Sequence, residues 1–582
     1  MEDLRDELAS VVERLTARVQ ELERRVSTLE RHPETVISPR PGPATAVPHP
    51  LQDLSLARSG GAMAVVGRVF LGMAGAYLLR AVAESAAFPR LAVAPVALAY
   101  AGMWLVWAAR VGANARFAGS AYGITSALIL TPMLWELTWR FKVLPAAATA
   151  GVLVAFVAAA SALAWKRSLA PVVWAAALSA AITALALMIA TRDLVPFTLA
   201  LLAMALMTEA AACRDHWRSL RPIGAVAADF AIFSLTMVYA RTEFLQTEYK
   251  PVAAGVLLAL PPVLFAIYAG STIFRTVVLR REITFFEVGQ TVVSLLLAAT
   301  GVLYLTAHQA AAAVALGVFC LLAAVACYFA ALARFERSSQ PRNYHVFAAW
   351  AAAFFLAGSF LCLPPAVLAL WLGLAALVAV FAGVRWARLT LGFHGVVYLA
   401  AAAWVSGLLD YTVQAMVGVS PAAPARSVWM AAALVVLGFA IAWRSAQDQT
   451  AQLGQQLLRL FCATLALCAV AALAVAGIAA WMATAPGAAA VAMSGPRLAV
   501  VRTLVTCMAA LALAMSGSRW KRAELVWLAY AAMAFCTLKL LFEDLRYGNA
   551  GSLAVSLFLY GMVWVLVPRL VRTRLRQTET QE

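Results

Sequence analysis

The chain alternates between apolar runs and short polar connections over most of its length, from Ala62 to about Pro568. Each run holds about 20 residues, enough for an α-helix to cross a hydrocarbon layer of roughly 30 Å. The pattern predicts about 18 such helices. They are expected to begin near residues 63, 91, 117, 144, 168, 194, 222, 251, 284, 310, 345, 366, 389, 427, 460, 498, 524 and 552. The predicted fold class is all-α, a polytopic transmembrane helical bundle over residues 62–570.

The two ends of the chain have a different pattern. Apolar residues within positions 1–32 alternate spacings of four and three, as in a coiled coil: Leu8, Val12, Leu15, Val19, Leu22, Val26 and Leu29. Valine at position a with leucine at position d favours a parallel dimer, although a solitary amphipathic helix folded back on the membrane domain has the same pattern. Residues 33–61 are rich in proline and predict a flexible, extended tether. Residues 571–582 form a basic-to-polar tail.

Basic residues are distributed unevenly between the two sides of the predicted membrane domain. The chain has 45 Lys and Arg against 28 Asp and Glu, a net charge of +17. With a cytoplasmic N-terminus, the inward connections hold more than twice as many Lys and Arg residues as the outward ones, as the positive-inside rule requires. This predicts an inner-membrane protein with both termini cytoplasmic. The positive charge therefore indicates topology, and no nucleic-acid partner is expected.

The chain lacks the sequence motifs of soluble enzymes and ATPases. The chain has no Walker A motif, no HExxH and no Cys/His cluster at zinc spacing, and its six histidines lie far apart. No metal, no cofactor and no enzymatic activity are expected. His394 lies inside a predicted span and is interpreted as a packed, hydrogen-bonded core residue rather than a ligand.

Ionisable residues within predicted spans define a candidate intramembrane polar site, because each is costly to bury in lipid. Its members are Arg80, Glu84, Glu136, Glu209, Asp229, Asp410, Lys539, Glu543 and Asp544. Glu84 and Glu136 lie near the outer boundary, where side chains can reach water. Glu209 and Asp229 lie deeper on adjacent helices, so each carboxyl must be protonated or partnered. An interhelical hydrogen bond is preferred here over a proton-linked role.

Lys539 and Glu543 stand four residues apart on one helix face. Lys539 follows the start of its span by about 15 residues, which places it about 22 Å along the helix. A snorkelled ion pair that anchors the helix end is one interpretation. A polar pocket that opens outward is the other.

The same region is part of an internal repeat. The segment Arg519–Asp544 aligns without gaps on Arg385–Asp410, with coincident arginine, tryptophan, leucine and aspartate positions. Arg218, Arg221 and Glu243 repeat the charged positions, although Trp217 lies two residues before the place that the match requires. A repeated helix-hairpin unit is predicted.

The two ends of the membrane domain resemble a known family. The first span, "VVGRVFLGMAGAYLLR", and the closing segment that contains Lys539, Asp544 and Gly561 are similar to those of bacterial multipass membrane proteins of domain-of-unknown-function family 2339. The coiled coil and the proline-rich tether strengthen the resemblance. It implies a multipass topology and no established activity.

Three functions are compatible with these features. The first is a non-enzymatic scaffold of the cell envelope that self-associates or binds a protein partner through residues 1–32, with the bilayer around its helices. The alternative is a transporter or flippase for a small polar or lipid-linked substrate, which would use the intramembrane charges. An intramembrane transferase for lipid-linked sugars ranks lowest. A water-filled cavity that reaches Lys539 would favour the last two, and a sealed bundle the first.

Overall fold

The computed structural model of the protein describes residues 20, 24, 50–85, 90–111, 115–240, 248–336, 340–418, 423–444, 452–483, 495–547 and 550–579. Within these ranges the regular structure is helical and contains no strand. Seventeen helices are long and apolar enough to cross a membrane, or up to 18 if one bent pair forms a single span. The predicted all-α class and the multipass architecture are confirmed. The predicted coiled coil lies outside the described residues apart from Gln20 and Arg24, which are both helical.

The helices, in chain order, have the following bounds: α1 Pro50–Glu84, α2 Arg90–Arg110, α3 Arg116–Trp135, α4 Ala146–Arg167, α5 Ala170–Thr191, α6 Leu194–Cys213, α7 Arg221–Ala240, α8 Ala254–Ile273, α9 Phe285–Leu305, α10 Ala310–Phe329, α11 Pro341–Cys362, α12 Pro365–Arg385, α13 Leu389–Val405, α14 Leu408–Val417, α15 Arg426–Trp443, α16 Gln452–Ala483, α17 Gly495–Arg519, α18 Ala523–Lys539 and α19 Ala550–Glu579. The chain divides into two compact units, Met1–Phe70 and Leu71–Glu582. All the sites described below lie in the second unit.

The first helix begins earlier than the sequence pattern indicated. α1 starts at Pro50, so the part of the predicted tether from residue 50 to residue 61 is helical rather than extended. Proline is well suited to the first turn of a helix, because its fixed φ is helical and its missing N–H has no partner there in any case. No further proline follows before the apolar run, so nothing in the sequence stops the helix.

The predicted repeat is visible as two hairpins with the same limits. α12 ends at Arg385 and α17 at Arg519, and the helices that follow, α13 and α18, both contain 17 residues. The residue two positions after each arginine has a positive φ, 53° at Ala387 and 55° at Lys521. In each turn a backbone amide donates to a glycine carbonyl over 2.9 Å, Arg388 to Gly383 and Arg522 to Gly517. All these positions differ by the same offset, which supports the alignment as far as the ends of α13 and α18.

Glycine is required where the two helices of each hairpin meet. A Cβ atom at Gly383 would lie 2.6 Å from the backbone nitrogen of Gly392. At Gly517 it would lie 3.1 Å from the nitrogen of Val526, the equivalent residue. Small residues of this kind let membrane helices approach closely. The turn between α6 and α7 differs, because two of its residues have positive φ and a single 3₁₀ turn follows them. The third copy therefore does not share the hairpin geometry.

The two hairpins diverge immediately after their aligned ends. After α13 the chain bends by 67° at Gly407 (φ 79°) into the short helix α14. After α18 it continues without a bend into the π-helical turn Leu540–Asp544. Three other helices also finish in a π turn, at Glu136–Arg140, Phe274–Val278 and Ala330–Phe335. A π turn adds one residue to the helical repeat and so changes which side chains share a face.

Candidate functional site

Lys539 is the last residue of α18, and its side chain is only 3% exposed. Its ammonium group lies 2.6 Å from Asp544 Oδ2 and donates to Thr503 Oγ1 over 2.6 Å and to the carbonyl of Ala499 over 2.5 Å. An ammonium group has three protons to donate, so these three acceptors satisfy it. Lys539 therefore occupies a closed, buried site and does not snorkel.

The π turn determines which carboxylate Lys539 contacts. Asp544 is five residues along the chain, and the turn Leu540–Asp544 brings it onto the face of Lys539. Glu543, the partner expected from α-helical spacing, is farther away, with 3.6 Å between Oε2 and Nζ. The second oxygen of Asp544 accepts a 2.7 Å hydrogen bond from Ser556 of α19. The pair consequently joins α17, α18 and α19.

Glu543 is paired instead with Arg502 of α17, a residue that the sequence analysis did not single out. Arg502 Nη1 lies 2.6 Å from Glu543 Oε1, and the arginine is 1% exposed. Its Nε donates to the carbonyl of Ala415 over 2.7 Å and its Nη2 to that of Gly418 over 2.5 Å. These carbonyls end α14, where a cation is favourable because the helix dipole is negative there. Arg502 thus holds the end of α14 against α17.

Two cations and two carboxylates make up this cluster: Lys539, Arg502, Glu543 and Asp544, hereafter the α18 cluster. Their formal charges cancel, and the hydrogen-bond partners are supplied by the protein. Asp410 does not join them: it is exposed in the first turn of α14, while Arg502 binds the last turn. The cluster therefore unites three of the nine predicted site residues, Lys539, Glu543 and Asp544.

A second buried cluster contains Glu209. Arg221 of α7 donates to Glu209 of α6 over 2.8 Å and 2.7 Å, and its Nη1 donates to Glu287 of α9 over 3.0 Å. Arg275, in the π turn after α8, places its Nε 2.7 Å from Glu287. Ser271 also donates to Glu209 over 2.6 Å. None of these charged residues is more than 5% exposed, so the α7 cluster, as we call this set, is again neutral and closed.

Asp229 lies two helical turns from Arg221 on α7, and it is half-buried. Both of its oxygens accept a 2.9 Å hydrogen bond from the side-chain amide of Gln290 in α9. This is the interhelical hydrogen bond that the sequence predicts for Asp229. Glu209 instead pairs with the guanidinium group of Arg221. Sequence reasoning had assigned Arg221 and Arg275 to the inward connections, and both are buried.

The third group comprises Arg80 and Glu84 of α1 with Glu136 and Arg140 of the π turn after α3. The two arginines bridge the two glutamates, with N–O distances of 2.7 Å from Arg140 to Glu84 and 3.2 Å from Arg80 to Glu136. The arginine side chains are 41% and 47% exposed, so water screens these pairs. Predicted site residues Arg80, Glu84 and Glu136 therefore lie together at one end of the bundle, apart from the two buried clusters.

Two further sets of buried polar side chains have partners within the protein. His394 Nδ1 lies 2.8 Å from the hydroxyl of Tyr328, which in turn lies 2.7 Å from that of Tyr398. His394 is 8% exposed, so its prediction as a hydrogen-bonded core residue is confirmed. Arg459 of α16 pairs with Glu524 of α18 over 3.2 Å, and both are buried. Among the described residues no group of three or more His, Cys, Asp or Glu side chains could hold a metal ion.

An apolar cleft of about 300 Å³ lies beside the α18 cluster, between α14, α16, α17 and α18. Met416, Ala471, Thr506 and Leu528 form its buried wall, while Val413, Val417, Ala531 and Phe535 are exposed at its mouth. Neither Lys539 nor Arg502 lines it. The cleft can therefore take hydrocarbon but offers no charge to a polar solute.

Comparison with known proteins found no matching family model, no similar curated protein and no similar solved structure.

Proposed function

We propose that this protein is a non-enzymatic scaffold of the bacterial inner membrane, with both termini in the cytoplasm and with self-association through residues 1–32. The closed state of the α18 cluster carries the proposal. A transport or catalytic site needs polar groups that can exchange protein partners for substrate, whereas every donor of Lys539 already has an internal acceptor. The excess of Lys and Arg on alternate connections supports the orientation.

The distribution of buried charge supports a structural role in a second way. The α7 and α18 clusters each connect three or more helices, and each is neutral. Charge pairs inside a membrane are retained where they fix the position of helices or serve a pathway. Because these pairs are complete, they lock the helix arrangement. A rigid array of this kind suits a platform for partner proteins.

Thiol labelling in intact cells tests the closed state. The eight native cysteines are first replaced, and single cysteines are introduced by Ser556→Cys, which is nearly isosteric and reports on the α18 cluster, and by Val405→Cys at the repeat-equivalent position of Lys539. Ser85→Cys, at an exposed helix end, is the positive control, and Val470→Cys, on an exposed apolar surface, is the negative one.

A membrane-impermeant thiol reagent is expected to label only Ser85→Cys. Labelling at both Ser556→Cys and Val405→Cys would reveal an aqueous cavity shared by the two hairpins. That result would contradict the scaffold function and favour a transporter.

A carrier of lipid-linked molecules is the second candidate, and the apolar cleft favours it. Its volume of about 300 Å³ lies at the lower limit of ordinary ligand sites, which run from about 300 to 1,000 Å³. Ala531→Trp would close the mouth, and Ala534→Trp, exposed on the same helix but outside the cleft, is the matched control. Retention of a polyisoprenyl phosphate by the purified protein, lost only in Ala531→Trp, would support a carrier. Equal retention in both variants would exclude the cleft as its site.

A further inference from the structure

Four of the membrane helices meet at a basic cavity that no predicted function uses. It lies between the end of α2 and the start of α3 on one side and the turn that joins α4 to α5 on the other, and its volume is about 230 Å³. Arg116, Lys166 and Arg167 line it, and all three side chains are exposed. Helices α2 and α4 end here and α3 and α5 begin here, which places the cavity where the candidate spans meet the membrane surface.

No acidic side chain in the described part of the chain compensates the charge of this cavity. The sequence contains no Asp or Glu between Glu84 and Glu136, or between Glu136 and Asp193. Glu136 itself lies about 20 residues along α3, or about 30 Å from Arg116. None of the ion pairs in the described part of the chain involves Arg116, Lys166 or Arg167.

The neighbouring connections on the same predicted side carry their own acids. Asp215, between α6 and α7, accepts from both Arg218 and Arg281, and the hydrogen bond from Arg218 lowers the pKa of its carboxyl. Arg388 pairs with Glu336 over 2.6 Å. Asp215 and Glu336 thus compensate part of the charge at these two connections, whereas no acid in the described part of the chain pairs with the three cations around this cavity.

The backbone adds to the positive potential. α3 begins after Ala115 and α5 after Leu169, both of which line the cavity, and neither residue provides a side-chain cap for its helix. The first N–H groups of a helix lack intrahelical partners and attract anions. This applies mainly to α3, because in α5 Pro171 has no N–H and the N–H of Val172 donates to the carbonyl of Leu169 over 3.1 Å. Arg167 is held in place by a 2.9 Å hydrogen bond to the carbonyl of Ala109 on α2, which ties the two turns together. The walls between the charges are apolar, formed by Ala108, Val111 and Leu169.

We propose that this cavity binds the phosphate group of an anionic membrane phospholipid. The three cations and the N-terminus of α3 suit a phosphate, and the position at the ends of four spans is the level of lipid headgroups. Basic pockets between transmembrane helices on the cytoplasmic side are suited to such headgroups. The apolar wall contacts the first carbons of the lipid, and its acyl chains continue along the outside of the bundle.

Native mass spectrometry of the full-length protein in detergent micelles tests this site. Phosphatidylglycerol, phosphatidylcholine and inorganic phosphate are the probes. Retention of one phosphatidylglycerol is expected at a concentration at least tenfold below that needed for phosphatidylcholine. The triple variant Arg116→Gln, Lys166→Gln and Arg167→Gln should weaken this binding about a hundredfold, since each cation near a membrane surface contributes about fivefold.

The matched control is Arg280→Gln, Arg385→Gln and Lys521→Gln, which removes the same charge from the same predicted side at exposed residues outside the cavity. It should leave phosphatidylglycerol binding unchanged within about twofold. Equal weakening of phosphatidylglycerol binding by the control would mean that diffuse surface charge, and not this cavity, causes the binding. Equal retention of the two lipids by the wild type would contradict the proposed site. Displacement of the lipid by equimolar inorganic phosphate would identify free phosphate as the ligand.

Lys166→Gln alone provides a test if the triple variant does not fold. Lys166 is exposed at the end of α4, so its removal leaves the packing intact. A weakening of about fivefold for phosphatidylglycerol supports the proposal. No change contradicts it.

Discussion

Asp544 lies five residues after Lys539, and yet its Oδ2 is only 2.6 Å from the lysine ammonium. In an α-helix this spacing would turn the two side chains apart by more than a quarter of a circle. The π turn between them removes that separation and leaves Glu543 free for Arg502. One extra residue in the helical turn therefore gives Lys539 and Arg502 each a carboxylate at 2.6 Å.

The charge on Asp544 is expected to stabilise the membrane domain strongly. Asp544→Asn keeps the shape but leaves Lys539 buried without its close counter-charge, since Glu543 Oε2 lies 3.6 Å from Nζ and Glu543 is already paired with Arg502. Breaking a buried pair in this way typically costs about 3–5 kcal/mol. The melting temperature, measured as the fraction of protein that remains monodisperse after heating, should fall by many degrees. Asp215→Asn is the control, since Asp215 also contacts two cations but is 45% exposed, and its loss should matter little.

Removing both partners should be far less harmful than removing one. In Lys539→Met with Asp544→Asn no charge is left unpaired, and most of the melting temperature lost in Asp544→Asn should return. If the double variant melts as low as Asp544→Asn alone, the uncompensated ammonium is not the cause, and the stability effect lies in the hydrogen bond to Ser556.

Arg502 is expected to control the local stability of α14. Arg502→Lys keeps the charge but cannot hold Glu543 and the carbonyls of α14 at once, because an ammonium group lacks the planar fork of guanidinium. Hydrogen exchange of the amides in Leu408–Val417 should become faster, while exchange in α12 stays the same. Arg497→Lys, at an exposed position of the same helix, should change neither. Unchanged exchange in α14 would contradict the capping role.

Replacement by alanine should destabilise the fold at a hairpin glycine and stabilise it at an exposed glycine. Gly383→Ala places a Cβ against backbone atoms of Gly392 and is expected to cost about 1–3 kcal/mol through overpacking. Gly477→Ala, in α16 with no atom within 4 Å of its added Cβ, should stabilise the fold by about 0.5–1 kcal/mol. The reason is that alanine loses less backbone conformational entropy than glycine when it becomes helical. Melting temperatures that move in the same direction would show that the close approach in the hairpin is not rigid.

Self-association should depend on the heptad leucines. Leu15→Pro with Leu22→Pro interrupts the predicted seam of the coiled coil, and we expect it to abolish chemical crosslinking between full-length copies in membranes. Arg31→Ala, after the last heptad leucine, is the control. Crosslinking that persists in the proline variant would place the contact in the membrane domain.

The spans could be predicted well because hydrophobicity and length are local properties. The largest disagreement is at α16, whose candidate span begins at Leu453 rather than near residue 460. The expected starts near 63, 194 and 310 coincide with Met63, Leu194 and Ala310. The bend at Gly407 was not predicted, because a single glycine in an apolar run rarely marks a turn.

The pairing of charges was harder to predict, since it depends on contacts between distant segments. Helical spacing pointed to Glu543 as the partner of Lys539, and no sequence signal revealed the π turn that selects Asp544. Arg502 could have been noticed as a cation within an apolar run. Arg221 was assigned to a connection because it follows a polar stretch, whereas its side chain turns inward to meet Glu209 and Glu287.

The paired hairpins have a consequence for how such a chain can change over time. At equivalent positions their turns keep a glycine, a residue with positive φ and a backbone hydrogen bond, while the ends of the following helices continue as a bent short helix in one and a charged π turn in the other. A duplicated unit of this design can vary its tips without disturbing its folding core. New sequence at the tips, and with it new chemistry, can therefore be introduced while the helices remain in register.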